Sequence, residues 1–221
     1  ELIRYAKKVG IPVVEIQTNG TRFGDKKYVE LLKDSGLDRV YIAFHSHIKE
    51  KSNKLRGVNF GFETILKGIR NSLDSGIHTS IIHVINSLNY MDLPDFASFI
   101  VKNFPDIENV NLSIVVPEGW AWENKWIIPR LKNIKPYLIK AMEILKENNI
   151  SFDVSEIVPL CIVEGFEEHA ASSKFLLQKL TIVDDYFTGK RILPFDNLDK
   201  EHAVKAPQCK YCTLNPICAG V

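Results

Sequence analysis

The chain has 221 residues, of which 45% are hydrophobic and 25% charged, and its formal net charge at neutral pH is +1. These values are ordinary for a globular protein of one to one and a half domains, and they argue against a nucleic-acid partner or an anionic membrane partner. No apolar run reaches the roughly 18 residues of a membrane span, and no signal peptide is visible, so we expect a cytoplasmic protein with reduced thiols.

The first residues, 1–9, have the pattern of the last turns of an amphipathic helix that ends at Gly10. There is no initiator Met, and the chain stops three residues after its last cysteine. We therefore expect a piece of a longer protein, and the alternative is a chain that lacks only disordered ends.

Short apolar strands then alternate with helices. The pattern predicts strands over 12–18, 39–44, 77–85, 110–116 and 151–158, and helices over 25–35, 60–75, about 94–103 and about 130–148. Asp25 is the expected N-cap of the first of these helices. Pro136 is expected either to kink the last helix or to mark its true start. This β-α rhythm predicts a parallel sheet or an (α/β) barrel.

Polar residues follow four successive predicted strands, where parallel α/β folds bind their ligands. They are Gln17-Thr18-Asn19-Gly20, His45-Ser46-His47, Asn86-Ser87 and Pro117-Glu118-Gly119. Turn chemistry alone explains the Asn-Gly and Glu-Gly pairs well, but it explains the histidines less well. The four segments together indicate a rim that binds a ligand.

Several histidines and tryptophans near this rim each have two possible roles. His45 and His47 are either a metal pair or groups that hydrogen-bond at the rim. His83, inside a strand, is either a ligand contact or a core residue with its hydrogen bonds satisfied. Three tryptophans, at positions 120, 122 and 126, either line a pocket or pack a lid.

After residue 160 the β-α rhythm stops, and a cysteine-bearing segment follows. Cys209, Cys212 and Cys218 have the spacing Cys-x2-Cys-x5-Cys, and the fourth cysteine, Cys161, lies far upstream. Four thiols suit an iron–sulfur cubane, which tolerates the wider Cys-x5-Cys loop, better than a zinc site, which usually has a second Cys-x2-Cys pair. Zinc and unligated cysteines remain the alternatives. We expect a domain boundary here, between residues 1–160 and 161–221.

The order and spacing of these motifs resemble the radical SAM enzymes. The segments that carry the resemblance are Gln17 to Gly20 with Leu31 to Leu37, Arg39 to His47, Leu55 to Val58 with Phe62 to Ile69, Val84 to Asn89, and Val116 to Ala121. The tail resembles the SPASM or twitch domains that follow many radical SAM barrels. The resemblance implies the C-terminal two-thirds of a partial (β/α)6 TIM-type barrel with an appended cysteine-bearing extension.

The resemblance also implies chemistry for the longer protein. A [4Fe-4S] cluster outside this chain and S-adenosylmethionine would generate a 5′-deoxyadenosyl radical that abstracts hydrogen from a substrate. The family's Cys-x3-Cys-x2-Cys motif is absent from this sequence, so we expect this chain alone to be inactive. The expected S-adenosylmethionine contacts are Thr18, Asn19, Ser46, His83 and Asn86.

The resemblance assigns the four cysteines to one auxiliary [4Fe-4S] cluster. The expected partners are an electron donor and a peptide or protein substrate, with a small-molecule substrate as the alternative. The competing hypothesis is a non-catalytic α/β binding module with a structural zinc site.

Overall fold

The computed structural model describes residues 1–155, 158–170, 204–218 and 220, and the backbone of residues 181–182 and 193–194. The helices are α1 (Leu2–Lys8), α2 (Lys26–Asp34), α3 (Lys49–Leu55), α4 (Phe62–Asp74), α5 (Leu93–Asn103), α6 (Gly119–Glu123) and α7 (Leu131–Glu147). The strands are β1 (Glu15–Thr18), β2 (Arg39–Ala43), β3 (His78–Ile85), β4 (Asn109–Ile114), β5 (Ser151–Ser155), β6 (Thr181–Ile182) and β7 (Leu193–Pro194).

Strands β1 to β5 form one parallel sheet in which each strand pairs with the next one along the chain. This sequential order is that of a (β/α) barrel wall, whereas a doubly wound sheet reverses its order at a switch point. The structure confirms the predicted α/β fold and is consistent with a partial TIM-type barrel. Strands β6 and β7 form a separate antiparallel pair.

The core lies between the sheet and its helices. Alternate strand residues such as Val40, Ile42 and Ile81 are fully buried there, and so are Ile65 and Ile69 on one face of α4. Because successive strand residues point to opposite faces, this alternation assigns one sheet face to the helices and leaves the other face for a different purpose.

The predicted elements agree with the observed ones to within a few residues at their ends. Asp25 caps α2 as expected, because its carboxylate accepts a hydrogen bond from the Lys27 amide at 3.0 Å. Pro136 lies inside α7, so the helix starts at Leu131 and Pro136 does not mark its start. The short helices α3 and α6 were not predicted, because neither carries a clear apolar period.

Residues beyond β5 pack back onto this core. Val158, Leu160 and Val163 are buried in it, and Ala170 forms an isolated bridge with Val154 of β5. From the cysteine segment, Leu214, Ile217 and Cys218 pack against the same core. The domain boundary near residue 160 stays a prediction, and much of residues 171–203 falls outside the described part of the chain.

No helix in the described part of the chain is long and apolar enough to cross a membrane.

Candidate functional site at the concave face and carboxyl edge of the sheet

The sheet face turned away from the helices is polar. Parallel sheets are normally apolar on both faces, because helices cover both. Here the second face forms a cavity of about 310 Å³. Its lining consists of Glu15, Gln17, Tyr41, Ile82, Asn111, Ser113, Asp153 and Ser155. Seven of these eight side chains are polar, so this face is built to contact water or a ligand and not to pack a core.

A hydrogen-bond network orders the floor of this cavity. The side-chain amides of Asn109 (2.6 Å) and Asn111 donate to the two carboxylate oxygens of Asp153. The hydroxyls of Ser113 and Ser155 both donate to the Asn111 side-chain oxygen, each at 2.7 Å. The network therefore holds Asp153 in one orientation.

Burial changes the acidity of two groups in the cavity. It raises the pKa of Asp153 above its usual value, against the opposing effect of the Asn109 and Asn111 hydrogen bonds. It also raises the pKa of Tyr41, and the negative charges of Glu15 and Asp153 add to that effect. Two carboxyl groups, Glu15 and Asp153, thus act on Tyr41, and the Arg39 charge opposes them.

At the carboxyl edge of the sheet, four of the five predicted S-adenosylmethionine contacts form the same local structure. Thr18, Asn19, Ser46 and Asn86 each accept a hydrogen bond from the backbone amide two residues later, at 2.9 to 3.2 Å. These are the side-chain-capped turns that such residues favour. Their part in binding S-adenosylmethionine stays a prediction.

The fifth predicted contact, His83, faces the helices. It is 1% exposed, its ring lies 4.0 Å from that of Phe96, and its Nδ1 lies 3.1 Å from the Phe44 carbonyl oxygen. The neighbouring His45 accepts a hydrogen bond from the Val84 amide on its own Nδ1 at 3.1 Å. The two imidazoles therefore extend the hydrogen bonding between β2 and β3 past the end of β2.

Both histidines are held neutral. Burial lowers the pKa of His83 to about 3, and it lowers the pKa of His45 to about 4 with a contribution from the nearby Arg56 charge. His45 Nδ1 accepts a hydrogen bond from the Val84 amide, so the proton of the neutral ring is on Nε2. His45 is thus a neutral ring with an N–H donor. His47, two residues later, packs on Phe99 with ring centroids 5.8 Å apart.

Buried polar atoms without a partner concentrate just after β2. Among the described residues they are His47 Nδ1, Ser52 Oγ, Asn53 Oδ1, Arg56 Nη1 and His83 Nε2. Buried polar groups are normally paired, so such a concentration indicates a site that a ligand or a further segment completes. Four of them belong to residues 47–56, which lie at the carboxyl edge of the sheet.

Arg56 is the functional candidate that sequence reasoning missed. Its Nη2 donates to the Thr21 hydroxyl at 2.9 Å, and it forms no ion pair with the acidic side chains described. A partly buried guanidinium without an acid is a site for an anion. The signal in the sequence was the lack of an acid three or four residues away on either side, where helical ion pairs form.

The four cysteines are brought together. Cys161, Cys209, Cys212 and Cys218 all line one cavity of about 170 Å³. The Leu160 amide donates to Cys218 Sγ at 3.5 Å, and burial raises the pKa of the Cys161 thiol, with the Cys218 and Cys212 charges adding to the effect. Yet no three His, Cys, Asp or Glu side chains in the described ranges come close enough to hold a single metal ion.

The tryptophans after β4 do not line the polar cavity. Trp120, Trp122 and Trp126 are 82%, 57% and 62% exposed. The Ser87 amide donates to the Ile127 carbonyl at 2.9 Å, which anchors the segment to the end of β3. Whether these rings pack a lid stays a prediction.

Comparison with known proteins agrees with this architecture. Residues 1–100 match the model of the Radical SAM superfamily. Fe-coproporphyrin III synthase of Methanosarcina barkeri is 35% identical over 94 residues, which are 42% of this chain and 23% of that protein. A probable GTP 3′,8-cyclase of Saccharolobus islandicus is 32% identical over 90 residues, which are 40% of this chain and 28% of that protein. The chain thus spans about a quarter of the length of the curated relatives it matches.

Two solved structures share the fold. Streptococcus suis SuiB, in a crystal structure with S-adenosylmethionine, aligns with a TM-score of 0.63 and 14% identity, covering 100% of this chain and 57% of SuiB. A domain of the pyruvate-formate lyase-activating enzyme of Bacteroides vulgatus aligns with a TM-score of 0.55 and 16% identity, covering 70% of this chain and 88% of that domain.

Proposed function

We propose that this chain is part of a radical SAM enzyme, since the family model and the homologues support its place in the radical SAM superfamily. In such an enzyme a [4Fe-4S] cluster would supply the electron for reductive cleavage of S-adenosylmethionine, and the chemistry supplied in this way would be hydrogen abstraction from the substrate. The cysteines of that cluster are not in this sequence. The contribution of this chain is to bind and orient S-adenosylmethionine and the substrate.

The observation that carries the proposal is the group of unpartnered polar atoms that follows β2, which includes Arg56 Nη1. S-adenosylmethionine carries a carboxylate, which a guanidinium without an acidic partner can bind through two N–H groups. The Thr21 hydroxyl fixes one side of the guanidinium through Nη2, while Nη1 is buried without a partner among the described residues. The Nε2–H of neutral His45, close enough to feel the Arg56 charge, supplies another donor at this edge.

We also propose that Cys161, Cys209, Cys212 and Cys218 hold an auxiliary [4Fe-4S] cluster. The support is that all four thiols line one cavity while no three of the described side chains converge on a single ion. The cysteine sulfurs that ligate the four irons of a cubane lie farther apart than those around one zinc ion, so this arrangement favours a cluster over zinc. When bound, such a cluster would carry electrons or contact the substrate. The Leu160 amide would donate to one of its thiolates.

For the substrate we propose a peptide or protein, with a small molecule as the alternative. SPASM-like tails in the family accompany peptide modification, whereas the names of the two curated relatives refer to small molecules. A cytoplasmic electron donor completes the set of partners, and neither nucleic acid nor membrane is part of the proposal.

The test is S-adenosylmethionine cleavage by the whole protein that contains this chain. The protein is purified without oxygen, reduced with dithionite and incubated with S-adenosylmethionine, and 5′-deoxyadenosine is measured by mass spectrometry. We expect iron–sulfur absorption in the visible range and formation of 5′-deoxyadenosine. A protein that shows neither, while its circular dichroism shows it to be folded, would instead be a binding module.

A further inference from the structure

The polar cavity on the concave sheet face has a chemistry that the proposed activity does not explain. S-adenosylmethionine contacts are expected at the carboxyl edge, whereas this cavity extends along β4 and β5. Ile82 of β3 pairs with both Ala43 and Asn111, and Asn111 pairs with Asp153. Asp153 therefore lies level with Ala43, the last residue of β2, so a molecule held at the carboxyl edge can reach it.

The cavity offers hydrogen-bond acceptors. The hydroxyls of Ser113 and Ser155 lie 2.8 Å apart, so their two hydrogens are used on Asn111 Oδ1 and on each other. Each hydroxyl oxygen keeps at least one lone pair for a ligand. Asp153 uses one lone pair on each carboxylate oxygen for the Asn109 and Asn111 amides and keeps the others. The floor thus presents carboxylate and hydroxyl oxygens in fixed positions.

In the described part of the chain, the lining of the cavity holds carboxyl groups and no basic side chain, although the charges of Arg39 and His169 act on Tyr41 and Asp153 from outside it. Glu15 and Asp153 both line it, and no lysine, arginine or histidine belongs to the lining found among the described residues. Arg39 on β2 pairs with Glu108 at 3.6 Å instead. Asp153 forms no ion pair among the described residues. A positively charged ligand in contact with it would offset the cost of burying its carboxylate.

We propose that this cavity binds a positively charged amino or guanidinium group of the substrate, with Asp153 as its counter-ion and Ser113 and Ser155 as additional acceptors. This inference rests on the proposed function, because it assumes that the substrate enters the concave side of the sheet. It narrows the substrate class: a peptide would present a lysine or arginine side chain here, and a small molecule would be an amine or a guanidine. Asp153 is a specificity-determining residue in this account.

The test measures cation binding to the 221-residue chain by NMR at constant ionic strength. The probes are n-butylammonium and n-butylguanidinium, with n-butanol and butyrate as uncharged and negatively charged controls. We expect saturable shifts of the Asn109 and Asn111 side-chain amide signals with the two cations only. Asp153→Asn keeps the shape and removes the charge, and it should weaken binding at least about tenfold, since a hydrogen bond to a charged group is lost.

Two further variants complete the experiment. Glu147→Gln removes an exposed acid at the end of α7, so it should bind the cations like the unsubstituted chain. Ser155→Ala should weaken binding a few-fold, which provides a second variant if Asp153→Asn does not fold. Equal shifts with butanol, or unchanged cation affinity in Asp153→Asn, would overturn the inference. Saturable binding of Ca²⁺ without binding of the organic cations would also overturn it.

The outcome is independent of the test of the proposed function, because cation binding needs neither iron nor S-adenosylmethionine. A chain without cation binding in a protein that cleaves S-adenosylmethionine refutes this inference alone. Cation binding in a protein without such cleavage refutes the proposed function alone.

Discussion

Acidification should destabilise the fold through His45 and His83, the two imidazoles that extend the hydrogen bonding between β2 and β3. Their pKa values in the folded chain are about 4 and about 3, because burial opposes the charged form. In the unfolded chain a histidine has a pKa of about 6.5. The folded pKa is the lower one, so the stability that these groups contribute is fully present above pH 6.5. It is lost as the pH falls towards their folded pKa values.

The size of the effect follows from the two shifts. Each pH unit between the unfolded and folded pKa costs about 1.36 kcal/mol per histidine. From pH 6.5 to pH 5 this is about 2 kcal/mol for each ring and about 4 kcal/mol for both. Domains of this size are stable by roughly 5–15 kcal/mol, so the loss is readily measured.

Urea unfolding followed by circular dichroism between pH 7.5 and pH 5 measures this loss. Asparagine can replace both rings, because its amide can accept from Val84 at position 45 and donate to Phe44 at position 83. The double variant His45→Asn/His83→Asn should therefore lose most of the pH dependence, whereas His78→Asn, at an exposed histidine, should keep it. If the double variant and the unsubstituted chain lose the same free energy between pH 7 and pH 5, the assignment of these rings is wrong.

Three further substitutions test other contacts near the carboxyl edge. Gly68→Ala would bring a Cβ to 2.9 Å from the Gly20 carbonyl oxygen, so it should lower the free energy of unfolding in urea by about 1–3 kcal/mol. The exposed Lys67→Ala should be close to neutral. A Gly68→Ala chain as stable as the unsubstituted one would contradict this packing. Asn89→Ala removes the hydrogen bonds that the Asn89 side chain makes with the His45 and Val84 carbonyls and with the Asn86 amide. It should lower the free energy of unfolding by about 3 kcal/mol, and Asn148→Ala is the exposed control. A loss of stability no larger than that of the control would argue against the network. In the whole protein, Arg56→Gln should weaken S-adenosylmethionine binding at least about tenfold in equilibrium titration. Lys54→Gln, at an exposed position in the last turn of α3, should not weaken it. Equal affinities for the two variants would remove Arg56 from the site.

Much of the fold could be predicted from the sequence because its elements are strongly periodic. Hydrophobic spacing alone predicts the apolar strand at 39–44 and the amphipathic helix at 60–75. Helix α3 could not be found in this way, because Lys49 to Leu55 is polar on nearly every side. It forms at the edge of the sheet, where its residues Ser52 and Asn53 are buried by tertiary packing.

The site was predicted less completely than the fold. The four cysteines were recognised as a group because their spacing is local for three of them, and the structure brings the fourth, Cys161, to the same cavity. The polar network on β4 and β5 was missed because Asn111, Ser113, Asp153 and Ser155 alternate with apolar residues in a way that also fits a solvent-exposed face. The structure shows that side chains from neighbouring strands line one cavity, which the alternation within a single strand does not reveal.

The most direct test of the account is the iron content of this chain. It has only four cysteines, so these are the only thiolates that can ligate a cluster in it. After anaerobic reconstitution with iron and sulfide, we expect about four iron and four sulfide ions per chain and an electron paramagnetic resonance signal on reduction. Cys161→Ser should lower the iron content as Cys218→Ser does. About one zinc ion and no iron per chain, or full iron loading in Cys161→Ser, would contradict the assignment.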